Sequence, residues 1–230
     1  MPIIHDEEFG KITIRRSARA TQVRLRVAPD GTLRASLPLY APAMLVKRLI
    51  KSSRDELRTL LAQAQPPETY KSGMRIGKSH TLIVQPTTGS FQTARRGQQL
   101  IVNLPTNKKL TDSDASRAVR DMVIAALRLE ARSYLPKRLS FLANKYGFKF
   151  KKVRFSHASG RWGSCTSEGT ISLNIALMKL PFEQIDYVIF HELAHTRQMN
   201  HSAEFWELVA LSDPAYKEHR RALKREAPTI

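Results

Sequence analysis

At 230 residues the chain is long enough for one large domain or two small ones with a buried core, and no apolar run approaches the ~20 residues of a membrane helix. A single cysteine, Cys165, excludes an internal disulfide, and the opening residues lack the basic and apolar regions of a secretory signal, so a cytoplasmic location is the expectation. Lys and Arg number 38 against 20 acids, a net charge of +18, which suits polyanionic partners and leaves non-specific nucleic-acid binding open.

Residues 11–37 read as β-structure. Val23, Leu25 and Val27 alternate with Arg24 and Arg26, Asp30-Gly31 supplies a turn, and Leu33, Ala35 and Leu37 resume the alternation, so one face is apolar and the other carries arginines. From Pro42 to about Ala64 the spacing of Leu45, Leu49, Leu57, Leu60 and Leu61 is helical, and Pro66-Pro67 ends it. Short strands return over 74–104, with a turn at Gly97. Residues 105–110 read as a linker, which divides the chain into a β-rich basic region (1–110) and a second domain (111–230).

The second domain opens on TDSDAS, rich in N-cap residues. A helical pattern then runs to about Lys145, with Pro136 expected to kink or split it and Gly147 to end it. Strand, loop and strand follow over 150–177, then a helix from Pro181, then a last helical region over 203–225 broken near Asp213-Pro214. The fold class is α+β.

The chemistry concentrates in 190–206, FHELAHTRQMNHSAEFW. His191 and His195 are four residues apart, so a helix turns both to one face and both can hold one ion. Glu192 lies about 100° around the helix, outside the ligand set but within reach of water in the open coordination position, as a general base requires. His201 follows where the helix has frayed, near Asn200, and can swing back as a third ligand, leaving the fourth position for water. Glu204 competes with His201 for that place, and Glu204 and Asp213 are also candidates to orient ligand histidines.

HELAH followed by HSAEFW, the upstream RWGSC (161–165), ISLN (171–174) and the PFEQIDYVIFHELAH run resemble the YgjP-like and WLM-type metallopeptidases, relatives of the SprT-like (Spartan) group in the zincin clan. RRSARATQVRLRVAPDG resembles the β-rich opening of the YgjP-like group. The resemblance implies a zincin-like domain after a β-rich N-terminal part, one zinc per chain held by His191, His195 and His201, and Glu192 as catalytic base. Gln198 stands where metzincins carry glycine, which argues against that branch. His157 and Gly160 depart from the expected loop before RWGSC.

Within this resemblance a peptide or protein is the expected substrate, with ISLN as an edge strand that pairs with it and Arg161, Trp162 and Asn174 as substrate contacts. Phe205 and Trp206 are expected to pack on the HELAH helix, and Cys165 to be a small buried residue. Two rivals stay open: a metal-dependent pyrophosphatase of nucleotides or similar phosphorylated compounds, and a nucleic-acid-associated protein with a vestigial metal site.

Overall fold

The structure is a computed structural model, which describes residues 2–18, 20–27, 32–63 and 70–230. The chain forms two compact units, Met1–Thr69 and Tyr70–Ile230. The expected turn at Asp30-Gly31 and stop at Pro66-Pro67 lie outside the described residues.

The first unit is a four-stranded sheet with two helices. Its strands are β1 (Ile3–Asp6), β2 (Gly10–Ser17), β3 (Arg24–Val27) and β4 (Leu33–Pro38), in spatial order β1-β2-β4-β3. Outer pairs are antiparallel and the central β2–β4 pair is parallel. Ile12, Ile14, Leu33, Ala35 and Leu37 occupy one face and form a core with Val46, Ile50 and Leu57 of α1 (Met44–Ser52) and α2 (Arg54–Gln63). The expected single helix is thus two. They part at Ser53, a residue type that favours helix starts, and Asp55 and Glu56 follow in the first turn of α2, where the helix dipole favours acids. Arg54 reaches Asp6 at 3.0 Å and Glu8 at 2.7 Å, joining α2 to the β1–β2 turn.

The second unit begins with β5 (Arg75–Ile76), β6 (His80–Thr87), β7 (Gln92–Arg96) and β8 (Gln99–Pro105), in order β5-β6-β8-β7. Ile76, Leu82, Leu100 and Val102 enter one core with Val119, Val123 and Leu127 of α3 (Ser113–Tyr146). This moves the division from the expected position near residue 110 to Thr69: the sheet over 75–105 buries its apolar face in the C-terminal unit.

Helix α3 runs unbroken through Pro136 for 34 residues. The carbonyl that loses its partner there belongs to Arg132, which is exposed, while Leu135 and Leu139 on either side are fully buried and hold the helix. Gly147 ends it at φ 69°, a left-handed conformation suited to glycine. Glu130 of α3, itself buried, accepts hydrogen bonds from Lys78 N (2.7 Å), Ser79 N (2.9 Å), Ser79 Oγ (2.7 Å) and His80 Nδ1 (2.7 Å), which pins the β5–β6 turn.

A second sheet consists of β9 (Lys152–Ser156), β10 (Gly163–Cys165) and β11 (Thr170–Asn174), in order β10-β11-β9. A short 3-10 turn (Ile175–Lys179) leads to α4 (Phe182–Ala194), α5 (Ala203–Ser212) and α6 (Tyr216–Leu223). The ISLN segment, expected at an edge, is the central strand; RWGSC supplies the edge, because β10 pairs with β11 on one side only. No helix among the described residues is long and apolar enough to cross a membrane.

Candidate metal centre

Helix α4 is apolar over most of its surface. Ile185, Val188, Ile189, Phe190, Leu193 and Ala194 are buried, which fixes its rotation and directs His191, Glu192 and His195 to one side. The helix ends at Ala194, earlier than the fraying expected near Asn200. Thr196 N bonds Leu193 O at 3.0 Å and Gln198 N bonds Ala194 O at 2.9 Å, so the chain turns at once and brings His201 back.

The three histidines converge. Their ligand atoms lie within 4.8 Å of one another, and His201 Nε2 is 3.2 Å from His191 Nε2. Two nitrogens about 2.0–2.1 Å from one tetrahedral zinc would stand about 3.3 Å apart, so this pair already has the spacing of shared coordination. His195 Nδ1 is 3.0 Å from the Gln198 carbonyl; donation there leaves its Nε2 free for an ion. Burial, then the neighbouring His195, His201 and Arg220, pushes His191 down to about 3. Burial also lowers His195. Both imidazoles are therefore neutral at physiological pH, the state a metal ligand needs. His191 Nδ1 is buried with no hydrogen-bond partner among the described residues.

Phe205 forms the floor of the cluster. It is fully buried, with ring centroids 4.5 Å from His195, 4.7 Å from His201 and 5.0 Å from His191. Trp206 stacks on His201 at 5.6 Å and on Tyr216 at 5.5 Å, and the Arg220 guanidinium lies 4.5 Å over its ring. The expected packing of Phe205 and Trp206 is therefore found, and it explains how an exposed loop histidine is held.

Glu192 is 4 % exposed, and its Oε2 has no hydrogen-bond partner among the described residues. Burial pushes its carboxyl up to about 8, against the opposing positive charge of Arg161. A buried, unpaired carboxylate oxygen beside the histidine cluster fits a cation and water; it fits no apolar role. Gly163 of β10 lies against the same carboxylate: a Cβ there would stand 2.5 Å from Glu192 Oε1 and 2.8 Å from Cδ. Sequence reasoning passed over Gly163. In sequence RWGSC reads as loop, where a glycine is ordinary; the structure makes 163–165 a strand, and a glycine inside a strand marks close approach of another group.

A cavity of about 280 Å³ opens beside Glu192, between Trp162 and Gly163 on one side and Tyr187, Val188 and Leu223 on another, with Arg220 and Lys224 also lining it. Trp162 thus reaches the site. Arg161 is exposed and acts on Glu192 through its charge. Asn174 does not face a substrate. It is fully buried; its amide nitrogen donates to Ala158 O (2.7 Å) and Arg161 O (3.0 Å), and its Oδ1 accepts from Ala176 N (3.0 Å). Its side chain is spent on the loop that carries Arg161 and Trp162.

Other candidates fall outside the cluster. Glu204 is exposed and is not among the converging groups. Asp213 accepts from His219 Nδ1 at 2.7 Å rather than from a ligand histidine. His157 is exposed, 3.5 Å from Arg128. Cys165 is half-buried, its thiol pushed up to about 11 by burial and by the Glu192 charge, and it donates to Thr166 O.

Among solved structures, the chain is similar to the metallopeptidase zymogen of Pyrococcus abyssi abylysin, at 27% identity and a TM-score of 0.36, covering 39% of this chain and 92% of that one. Among curated proteins, none matches. The family described as YgjP-like, metallopeptidase domain, matches residues 21–226, which take in β3 to β8, RWGSC and the three-histidine cluster; the chain belongs to the YgjP-like metallopeptidase family.

Proposed function

We propose that this protein is a zinc-dependent peptidase in which His191, His195 and His201 hold the metal and Glu192 is the general base. The observation that carries this reading is Glu192 itself: a buried, unpaired carboxylate beside the histidine cluster and against the exposed edge of β10. When bound, zinc supplies Lewis acidity, which acidifies water and polarises a carbonyl.

The edge of β10 suits an extended peptide. Trp162 O accepts from Asn174 N at 2.8 Å and Thr166 N donates to Thr170 O at 3.0 Å. Antiparallel ladders alternate, so the backbone groups of Gly163 and Cys165 between them point away from β11, ready to pair with an added strand. A peptide bond held there lies within reach of Glu192. Glu192 takes one proton from the attacking water as the water oxygen bonds to the carbonyl carbon. It then delivers that proton to the leaving nitrogen as the C–N bond breaks, giving one carboxyl and one amine.

The test is turnover of quenched fluorescent peptides by zinc-loaded protein, with Glu192→Gln as the control that keeps shape and loses the base. Cleavage by the wild type and loss in the variant support the reading; equal cleavage by both overturns it.

A second reading, hydrolysis of nucleotides, has one observation in its favour. Arg220 and Lys224 line the cavity beside Glu192, and two cations there favour a phosphate chain. Pyrophosphate release from nucleoside triphosphates, absent in Glu192→Gln and without peptide cleavage, would move the assignment to this reaction.

A further inference from the structure

The sheet of the first unit has a charged face that the catalytic reading does not use. Residues paired in register share a face, and Ile12, Ile14, Ala35 and Leu33 point to the helices. The alternate positions point the other way. Lys11 and Arg15 of β2, Arg24 and Arg26 of β3 and Arg34 of β4 all lie on that outer face, and all are exposed. Register places Arg26 opposite Arg34, and Arg15 and Arg24 on either side of Ser36. Asp6 takes the opposite parity and binds Arg54, so the described strand residues of this face include no acid. Arg16, next in sequence, is not part of it: it pairs with Leu37 and donates to Leu39 O (2.8 Å) and Ala41 O (2.7 Å).

Like charges directly opposite on a sheet repel, and here they are gathered on one face. An anionic ligand would reverse the sign. Alternate residues along a strand are about 6.8 Å apart and neighbouring strands about 4.8 Å apart, which gives a regular grid of cations. Guanidinium groups bind phosphate in a bidentate way, and a chain of phosphates at regular intervals is the anion such a grid fits. The described strand residues of the face include no Phe, Tyr or Trp, and His5, paired with Lys11, is the one aromatic ring among them, so base stacking adds little.

We infer that the outer sheet face of the first unit, through Lys11, Arg15, Arg24 and Arg26, is a binding surface for the phosphate backbone of single-stranded nucleic acid, without base selectivity. Arg34 lies between these cations and adds to the local potential.

The experiment is fluorescence anisotropy with a labelled thymidine oligonucleotide of about 20 residues, titrated with the full chain at several salt concentrations. Four phosphate contacts predict a slope near −3 in log K against log salt, an affinity loss of about 50-fold between 50 and 200 mM. Arg15→Glu/Arg24→Glu/Arg26→Glu should bring the slope to about −1 or less. Arg117→Glu/Lys137→Glu/Arg221→Glu makes the same charge change on the second unit and should keep the wild-type slope. Should the first variant fail to fold, arginine modification of the wild type replaces it, and the oligonucleotide should protect Arg15, Arg24 and Arg26. Equal loss in both variants, no binding at 50 mM salt, unprotected arginines, or binding to phosphatidylserine vesicles in place of the oligonucleotide would each overturn the inference.

Discussion

Gly163 lies directly against the Glu192 carboxylate: a single added carbon at Gly163 would stand 2.5 Å from Glu192 Oε1. The glycine is required here by space, since its φ is not positive. Gly163→Ala should therefore push the Glu192 carboxylate off its position while leaving the three histidines in place. A displacement of about 1 Å is enough to reduce turnover about 100-fold. Metal content should stay at the wild-type level. Peptide kinetics beside elemental analysis checks both, and loss of metal together with turnover would mean that the glycine supports the whole site.

The histidine cluster makes a separate claim. His191→Ala or His195→Ala should abolish metal binding, and His201→Ala should weaken it strongly, because its Nε2 lies 3.2 Å from that of His191. Glu204→Ala should leave it unchanged, since Glu204 is exposed and outside the cluster. A chelator should lower the melting temperature of the wild type and of Glu204→Ala, but not of His191→Ala or His195→Ala. Metal present at 100 times its dissociation constant stabilises the folded state by about 2.7 kcal/mol. Melting curves with and without chelator on the four variants decide the matter, and a melting shift that persists in His191→Ala would place the metal elsewhere.

The convergence of the three histidines was legible in the sequence because its information is local. A spacing of four fixes two histidines on one helix face, and the third lies six residues on, within a turn's reach. Gly163 was not legible as a neighbour of Glu192, since contact between residues 29 positions apart depends on how β10 packs against α4. The division of the chain was misplaced for a related reason. The alternation in β6 and β8 shows that Leu82, Leu100 and Val102 need an apolar cover, but it does not say that α3 provides it. The strand order was equally silent in sequence: ISLN alternates as an edge strand would, and only pairing with both β9 and β10 shows it to be central.

Glu130 offers a pH test remote from the metal. Burial alone would raise its carboxyl, but hydrogen bonds from Lys78, Ser79 and His80 outweigh it and hold the group below its ordinary value. The folded state thus binds this proton less readily than the unfolded chain. The resulting stability is fully present above the ordinary carboxylate range, near pH 4.5, and is lost as pH falls through the lowered folded value. Glu130→Gln should lower stability at neutral pH and flatten the decline between about pH 5 and 3. Denaturant midpoints across that range measure it, and an unchanged acid decline would show that other carboxylates set it.

The β5–β6 turn that Glu130 holds carries its own prediction. Gly77 has φ 63°, and a Cβ there would collide with the Glu130 carboxylate and meet Leu127 Cδ2 at 2.8 Å. Gly77→Ala combines a left-handed backbone with overpacking, and should destabilise the second unit by about 2–4 kcal/mol. Urea denaturation provides the measurement; a loss under about 0.5 kcal/mol, the level of an ordinary surface change, would mean that the turn relaxes freely.

Asn174 and Arg161 separate scaffold from site. Asn174 is fully buried and ties Ala158 O and Arg161 O to the end of β11. Asn174→Ala removes the donor to the Ala158 and Arg161 carbonyls and the acceptor of the buried Ala176 N, so it should destabilise the fold by about 1–3 kcal/mol. It should also loosen the loop and raise KM, because Trp162 lines the cavity from that loop. Arg161→Ala should behave differently. Its side chain is exposed, so stability should stay within about 0.5 kcal/mol of the wild type. Its positive charge opposes the burial that raises Glu192, so its loss favours the protonated carboxyl, and the acidic limb of the activity profile should move to higher pH. Melting curves and pH–rate profiles on the two variants give a crossed pattern: stability falls with Asn174, and the pH profile moves with Arg161. A pH shift in Asn174→Ala without loss of stability would return that residue to the substrate face.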